Sequence, residues 1–486
     1  MSPPTHPPPP RSGITKFTNC LVLRGNSLVR DDIWISSVTG KIVDAQSAFY
    51  DSLVVPDTAI DLGGRIVSPG FIDCQLNGAF GFNFSTLTDD YADRLRELNK
   101  KLIKTGVTSY LPTLTSQTSE LYKKVLPHLS PSGTTTTTTT TTTPRNPLNG
   151  AESLGAHAEG PFLNPLRNGV HNPSALRTAR SFTDLEDVYG AENLRPTTTT
   201  PAETGKMMNV VPPTVRMITL APEVGGMMRV IPKLVRRGIV VSMGHSEASY
   251  EQAKEAVGKG VRMVTHLLNA MRGMQQREPG ILGVLGAGPY FGLVCDGVHL
   301  HPATVKLAWN IHPEGLILVT DAMHVLGLPD GRYPWTNGEG EHWIVKKGRV
   351  LELEGTGSIA GSSSSLVECI ETFLRHSGAP LPLALRAVTA TPAAMLGLQG
   401  VKGTLDPGAD ADLVVLSFSE SEEEEQVVNK VENAEEGTKS AAAETTPGNT
   451  VTTPNADGHE QKKQRGPDLV VEEVWKFGVR VYRREE

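Results

Sequence analysis

Ile239-Val240-Val241-Ser242-Met243-Gly244-His245-Ser246, then a helix-length stretch closed by Gly258 and Gly260, then Val261-Arg262-Met263-Val264-Thr265-His266: these residues spell out a complete β/α unit. Both apolar runs are continuous rather than alternating, the pattern of strands covered on two faces. Between them Ser246 can cap the first orphan amides of a helix that turns Ala253 and Ala256 inward, and the two glycines end it. Each strand delivers a histidine at its C-terminal end.

Six more runs of the same kind lie on either side: Arg65–Val67, Val107–Leu111, Ser153–Ala156 and Val215–Leu220 before, Tyr290–Val294 and Leu316–Val319 after. Helix-length segments separate several of them. In Tyr91–Lys104, for example, Leu95, Leu98 and Leu102 share a face and Gly106 stands as a stop. Eight strands in a β/α rhythm predict a (β/α)8 TIM-like barrel over residues 65–398. Thr18–Leu23, Ile33–Ser36 and Lys41–Val43 at one end and Ala411–Leu416 and Glu473–Tyr482 at the other are too short to build cores alone. They predict one small β-sandwich fed by both termini, from residues 14–64, 399–418 and 466–486. Segments unable to bury enough apolar surface are the Pro-rich tail at residues 1–13 and the run Thr134–Thr143, within an insertion near 130–148. To these add an insertion at 195–213 carrying Thr197–Thr200, and the acidic, Thr-rich stretch at 419–465.

With 486 residues, 38% of them apolar, the chain can bury one large core and a smaller one. A net charge of -7 gives no attraction to nucleic acid or to anionic lipid, and no apolar stretch reaches the ~18 residues of a membrane span. Cys20, Cys74, Cys295 and Cys369 show no paired spacing and no secretory signal is visible, so the expectation is a soluble protein of the reducing cytoplasm.

The polar residues that follow the strands carry the chemistry: Gln75 and Asn77 after the first, Glu159 after the third, His245 after the fifth, His266 after the sixth, His299 after the seventh and Asp321 after the eighth. Strand C-termini of a β/α barrel open onto one face, so these residues converge there. One Glu and two His suit zinc or a similar divalent ion and leave a coordination position open for water, with Asp321 as the candidate general base. Any one of them alone is more often a satisfied polar group. The repetition in Gly244-His245-Ser246, Thr265-His266, Asp296-Gly297-Val298-His299 and Thr320-Asp321-Ala322 favours a metal site.

Pro69-Gly70-Phe71-Ile72-Asp73 with Gln75-Leu76-Asn77-Gly78 and His157-Ala158-Glu159-Gly160-Pro161-Phe162 with Gly169-Val170-His171-Asn172-Pro173 open a series of blocks. It continues through Thr265–Met271, Arg277-Glu278-Pro279-Gly280, Asp296–His299, Leu318–Ala322 and Ile359-Ala360-Gly361-Ser362. In this order the chain resembles the N-acetylglucosamine-6-phosphate deacetylase family of the amidohydrolase superfamily. The resemblance implies one divalent metal ion, zinc, held by Glu159, His245 and His266, with Asp321 as catalytic acid/base. Gln75 and Asn77 stand where many superfamily members carry a His-x-His pair for a second metal. It further implies that Val170, Asn269, Ala270, Arg277, His299, Ile359, Ala360 and Gly361 contact a phosphosugar, and that the chain is a homodimer whose Arg277 reaches the neighbouring pocket.

Arg277 offers paired donors to phosphate oxygens, though it could equally be a surface arginine beside Glu278. His299 could donate to the acetyl carbonyl oxygen. Gly355-Thr356-Gly357 lacks the Lys of a phosphate loop and reads as a tight turn lining the pocket. The expected reaction is deacetylation of N-acetyl-D-glucosamine 6-phosphate to D-glucosamine 6-phosphate and acetate. The alternatives are a dihydroorotase-like amidohydrolase, which the single-metal pattern disfavours, and a non-catalytic barrel.

Overall fold

A computed structural model describes residues 12–132, 136–137, 142–143, 145–199, 209–338, 340–419 and 468–485. It divides into two compact units, residues 417–470 and the rest of the chain, and everything that positions the site belongs to the larger. Residues 1–11 of the Pro-rich tail and nearly all of the acidic stretch lie outside the described residues.

Eight parallel strands form the barrel: Phe71–Leu76, Val107–Leu114, Ala156–Glu159, Val215–Leu220, Val240–Met243, Val261–Val264, Tyr290–Val294 and Leu316–Val319. Each pairs with the next in sequence. Closure between first and last comes from a parallel bridge Leu76↔Ala322 and from Asp321 N donating to Gln75 O at 2.9 Å. Thr320 Oγ1 reinforces the seam by donating to the buried Asp73 Oδ2 at 2.6 Å. Almost every strand residue is buried, as expected for strands with a packed interior on one side and helices on the other.

Two expected strands shift. Arg65–Val67, expected to open the barrel, falls in Ile66–Pro69, which belongs to the terminal sheet; the chain passes from sheet to barrel at Gly70. The Ser153–Ala156 run splits into a two-residue strand, Glu152–Ser153, and the barrel strand Ala156–Glu159. The helix expected at Tyr91–Lys104 spans Tyr91–Leu102, tightens into a 3-10 turn and stops at Gly106, whose φ of +83° is the left-handed end conformation. Ser246 is not the cap of the helix Tyr250–Gly258. Ser249 is, in a reciprocal capping box with Gln252, because only Ser249 stands directly before the first helical turn.

Strands from both ends of the chain share one eight-stranded sheet that contains Ile14–Arg24, Ser27–Ser36, Lys41–Val43, Thr58–Asp61, Ile66–Pro69, Leu413–Phe418, Leu469–Lys476 and Val479–Arg483. The threonine-bearing insertion near residue 200 includes a hairpin, Thr197–Thr199 against Asn209–Val211, rather than loop alone, since β-branched residues favour extended backbone. Within the run Thr134–Thr143, Thr136–Thr137 pairs with Thr142–Thr143. A four-stranded antiparallel sheet, Gly331–Trp335, His342–Lys347, Val350–Leu353 and Ser358–Ile359, is inserted after the last barrel strand and was not foreseen. Among the described residues no helix is long and apolar enough to cross a membrane.

Sheet and barrel are joined by a buried charge cluster. Lys476 Nζ meets Glu152 Oε1 and Asp412 Oδ2, each at 2.7 Å. Lys402 Nζ pairs with Glu152, with Asp412 at 2.6 Å and with Asp410 at 2.9 Å. Burial works against the Glu152 charge, yet the two ammonium groups hold its carboxyl down at about 2. Removing one member of such a network strands the others without compensation. Lys476→Met should therefore lower the unfolding free energy by ~3–5 kcal/mol, measured by denaturant titration; a loss below about 1 kcal/mol would mean that the cluster contributes no more than a surface pair.

Candidate metal and catalytic site

Glu159 is the last residue of its strand, His245 lies two residues past the end of the strand Val240–Met243, and His266 and Asp321 are equally placed after theirs. His245, His266 and Asp321 have φ of +49°, +26° and +49°. This left-handed backbone is costly for non-glycine residues and is maintained only where the surroundings enforce it. Gly244 shows one such constraint: a Cβ there would lie 2.7 Å from Thr265 Cβ, on the neighbouring strand end.

Three buried ligand atoms converge. His266 Nε2 lies 3.0 Å from Glu159 Oε1 and 2.9 Å from His245 Nε2, which is itself 3.4 Å from Glu159 Oε1. His245 Nδ1 donates to Arg167 O at 2.7 Å, so Nε2 presents a lone pair to the cluster. Burial opposes the Glu159 charge, but the two imidazoles hold its carboxyl well below the usual range. A carboxylate oxygen and imidazole nitrogens within 4.8 Å of one another fit a divalent cation and leave room for further ligands.

Asp321 stands beside this triad through amides rather than cations. Gln75 Nε2 donates to Glu159 Oε1 at 2.9 Å and lies 3.3 Å from Asp321 Oδ1, while Asn77 Nδ2 donates to Asp321 Oδ1 at 2.8 Å. Neutral amides thus occupy the space between two carboxylates. Burial, and then the Glu159 charge, push the Asp321 carboxyl up to about 6, where it can both accept and release a proton near neutrality.

A pocket of about 560 Å³ opens over these groups, a size suited to a small ligand. Of the residues expected to contact substrate, Val170, Asn269, Ala270, His299, Ile359 and Gly361 line it. Arg277 and Ala360 do not: Arg277 is exposed on the surface, and Ala360 is buried in a cluster with Trp335 and Ile344. Glu278 is not simply a surface partner for Arg277, since it accepts from Tyr250 N at 2.7 Å and Gly280 N at 3.0 Å. His299 Nδ1 meets Asp296 Oδ2 at 2.7 Å, which leaves Nε2 as the ring nitrogen for a ligand. Gly361 has φ of +71°, and a Cβ would come within 2.9 Å of Asp321 O, so the Ile359–Gly361 turn can press against the acid only as glycine.

Residues 66–460 match the amidohydrolase family. The chain belongs to this family. A human relative, N-acetylglucosamine-6-phosphate deacetylase (Homo sapiens), is 39% identical over 415 residues, spanning 84% of this chain and 92% of that protein; the protein of that name from Bos taurus is 38% identical, over 84% and 93%. Among solved structures, a variant N-acetyl-D-glucosamine-6-phosphate deacetylase from Mycobacterium smegmatis in complex with N-acetyl-D-glucosamine-6-phosphate is 30% identical, with a TM-score of 0.65, over 83% of this chain and 94% of that one.

In this amidohydrolase the pocket also recruits Thr115, Leu166, Arg167, His171, Met323 and Trp335, which sequence reasoning did not select. His171 Nδ1 accepts from Ser116 N at 3.1 Å, and its ring stands edge-on to His245 with centroids 4.5 Å apart. It lies in Gly169-Val170-His171-Asn172-Pro173, one of the blocks that carry the resemblance, so a signal was present. Trp335 arrives on the inserted sheet and had none.

Proposed function

We propose that this amidohydrolase deacetylates N-acetyl-D-glucosamine 6-phosphate, giving D-glucosamine 6-phosphate and acetate in amino-sugar catabolism. The observation that carries the reading is Gln75 bridging Glu159 and Asp321, which holds a single-metal triad and one acid/base within a common pocket. Relatives that bear this activity in their names, at 38–39% identity over most of the chain, support it. Glu159, His245 and His266 hold one divalent ion, and zinc is the ion that best suits one carboxylate and two imidazoles. When bound, such an ion polarises the amide carbonyl and makes water nucleophilic near pH 7.

The remaining work falls to the chain. Asp321 accepts the proton of the attacking water and returns it to the amide nitrogen as the C–N bond breaks. His299 is oriented by Asp296, whose carboxylate can balance the charge of the doubly protonated ring, and in that form its Nε2–H donates to the acetyl oxygen as charge gathers there. Asn269 and Ala270 receive the phosphate end, while Val170 and the Ile359–Gly361 turn pack on the sugar. Arg277, exposed and outside its own pocket, supports a homodimer in which it serves the neighbouring one; the metal-loaded protein should then show twice the chain mass by light scattering. Four free, buried cysteines suit a reducing cytosol.

Acetate release from the phosphorylated sugar, with and without chelation and zinc add-back, tests the proposal. Turnover should vanish on chelation, return with zinc, and fall at least about tenfold with unphosphorylated N-acetyl-D-glucosamine, the loss of one charged contact of ~1.4 kcal/mol. Absence of turnover in the metal-loaded protein would refute the substrate assignment.

A further inference from the structure

We infer that Glu223 is a positioning residue for His245: it touches neither the ligand cluster nor the pocket, yet it clamps both segments that fix the histidine's backbone and ring. The inference rests on the reading of Glu159, His245 and His266 as the metal site. Glu223 follows the strand Val215–Leu220 by three residues. Its Oε2 accepts from Ser246 Oγ at 2.7 Å, and its Oε1 accepts from Glu247 N at 2.7 Å and Asn164 Nδ2 at 2.9 Å. All three partners are uncharged donors, a demand that an acceptor-only carboxylate meets in full.

From these three contacts a closed circuit forms around His245. Ser246 and Glu247 are the two residues that follow it. Asn164 N donates to His245 O at 2.9 Å, and Asn164 O accepts from Arg167 N, also at 2.9 Å. Arg167 O in turn receives the proton of His245 Nδ1, while the Arg167 guanidinium pairs with Glu247. Thus the two residues after His245 are tied directly to a single carboxylate, its carbonyl is tied through Asn164, and its ring through Arg167 and then Asn164 or Glu247. The left-handed φ of His245 is a conformation that relaxes unless held. Once it relaxes, Nε2 swings away from Glu159 and His266. Outer contacts of this kind typically govern metal affinity by 10- to 100-fold.

The test is zinc affinity, by competition with a chromophoric chelator, together with the visible absorption of the cobalt(II)-substituted protein. Glu223→Ala should weaken zinc by about 10- to 100-fold and alter the cobalt spectrum, while the metal-free protein keeps its melting temperature within a few degrees. Glu223→Gln, which retains one acceptor oxygen for Asn164 and Glu247, should recover affinity to within about threefold of wild type. If Glu223→Ala fails to fold, Ser246→Ala and Asn164→Ala each remove one bond of the clamp and should weaken zinc at least about threefold. Unchanged affinity and spectrum in Glu223→Ala, or in both substitute variants, overturns the positioning role. Failure of the wild type to bind one ion per chain would instead overturn the metal site on which it rests.

Discussion

Asp321→Asn should reduce acetate release by about 10²- to 10⁴-fold, the usual contribution of a positioned general acid/base, while zinc remains bound. The substitution is nearly isosteric. Its carbonyl oxygen can still accept from Asn77 Nδ2, so the hydrogen bond at 2.8 Å that holds the side chain survives. What disappears is the ability to take up a proton. The variant also removes the charge facing Glu159 across Gln75, a repulsion that contributes to the raised Asp321 carboxyl. Glu159, His245 and His266 are untouched, so zinc should stay bound, its affinity level or somewhat weakened by the loss of one nearby negative charge, and KM should change far less than kcat. Activity within about tenfold of wild type, below the range expected of such a group, would remove Asp321 from the proton transfer.

Glu159→Ala should abolish turnover by a different route, through the metal. Glu159 supplies the only carboxylate of the triad, and both imidazoles converge on it. Without it two neutral ligands remain, and zinc affinity should fall by well over the ~100-fold that an outer-shell change produces. Thermal unfolding separates this from misfolding. Wild-type protein gains ~2.7 kcal/mol when zinc is present at a hundred times its dissociation constant, whereas the variant should show no zinc-dependent rise at that concentration. The metal-free forms should melt close together, because the buried carboxylate that is lost relied on the same two histidines for its compensation. A zinc-induced shift equal to that of wild type would place the metal elsewhere.

Much of the barrel and its acid–metal constellation could be read from sequence because both depend on short-range patterns. Val240–Met243 and Val261–Val264 announce themselves as buried strands, and a polar residue just past an apolar run is conspicuous. Glu159, His245, His266 and Asp321 all satisfy that description and are brought together. Ile66–Pro69 misleads for the same reason: its Ile66-Val67 is as apolar as the Phe71-Ile72 that opens Phe71–Leu76, both strands are fully buried and only Gly70 separates them, so hydrophobicity cannot tell which sheet a run joins. Ser246 looks like a helix cap, and only the fold reveals that its hydroxyl is spent on Glu223. Arg167 escapes notice because the part of it that holds His245 is a main-chain carbonyl, which no side-chain pattern marks. Trp335 rides on strands that are buried on one face only, interrupted by Pro334, and too short to stand out from loop.

The charge cluster beneath the barrel also sets an order on how the molecule can be made. Glu152 and Lys476 are 324 residues apart, and a ribosome adding about 5–20 residues per second needs roughly 16 to 65 s to supply the second after the first. Lys402 arrives 250 residues after Glu152, when all eight barrel strands already exist. The barrel can thus assemble during synthesis around a half-neutralised acidic group, but the sheet that contains Ile14–Arg24 gains Leu469–Lys476 and Val479–Arg483 only after every barrel strand has been translated.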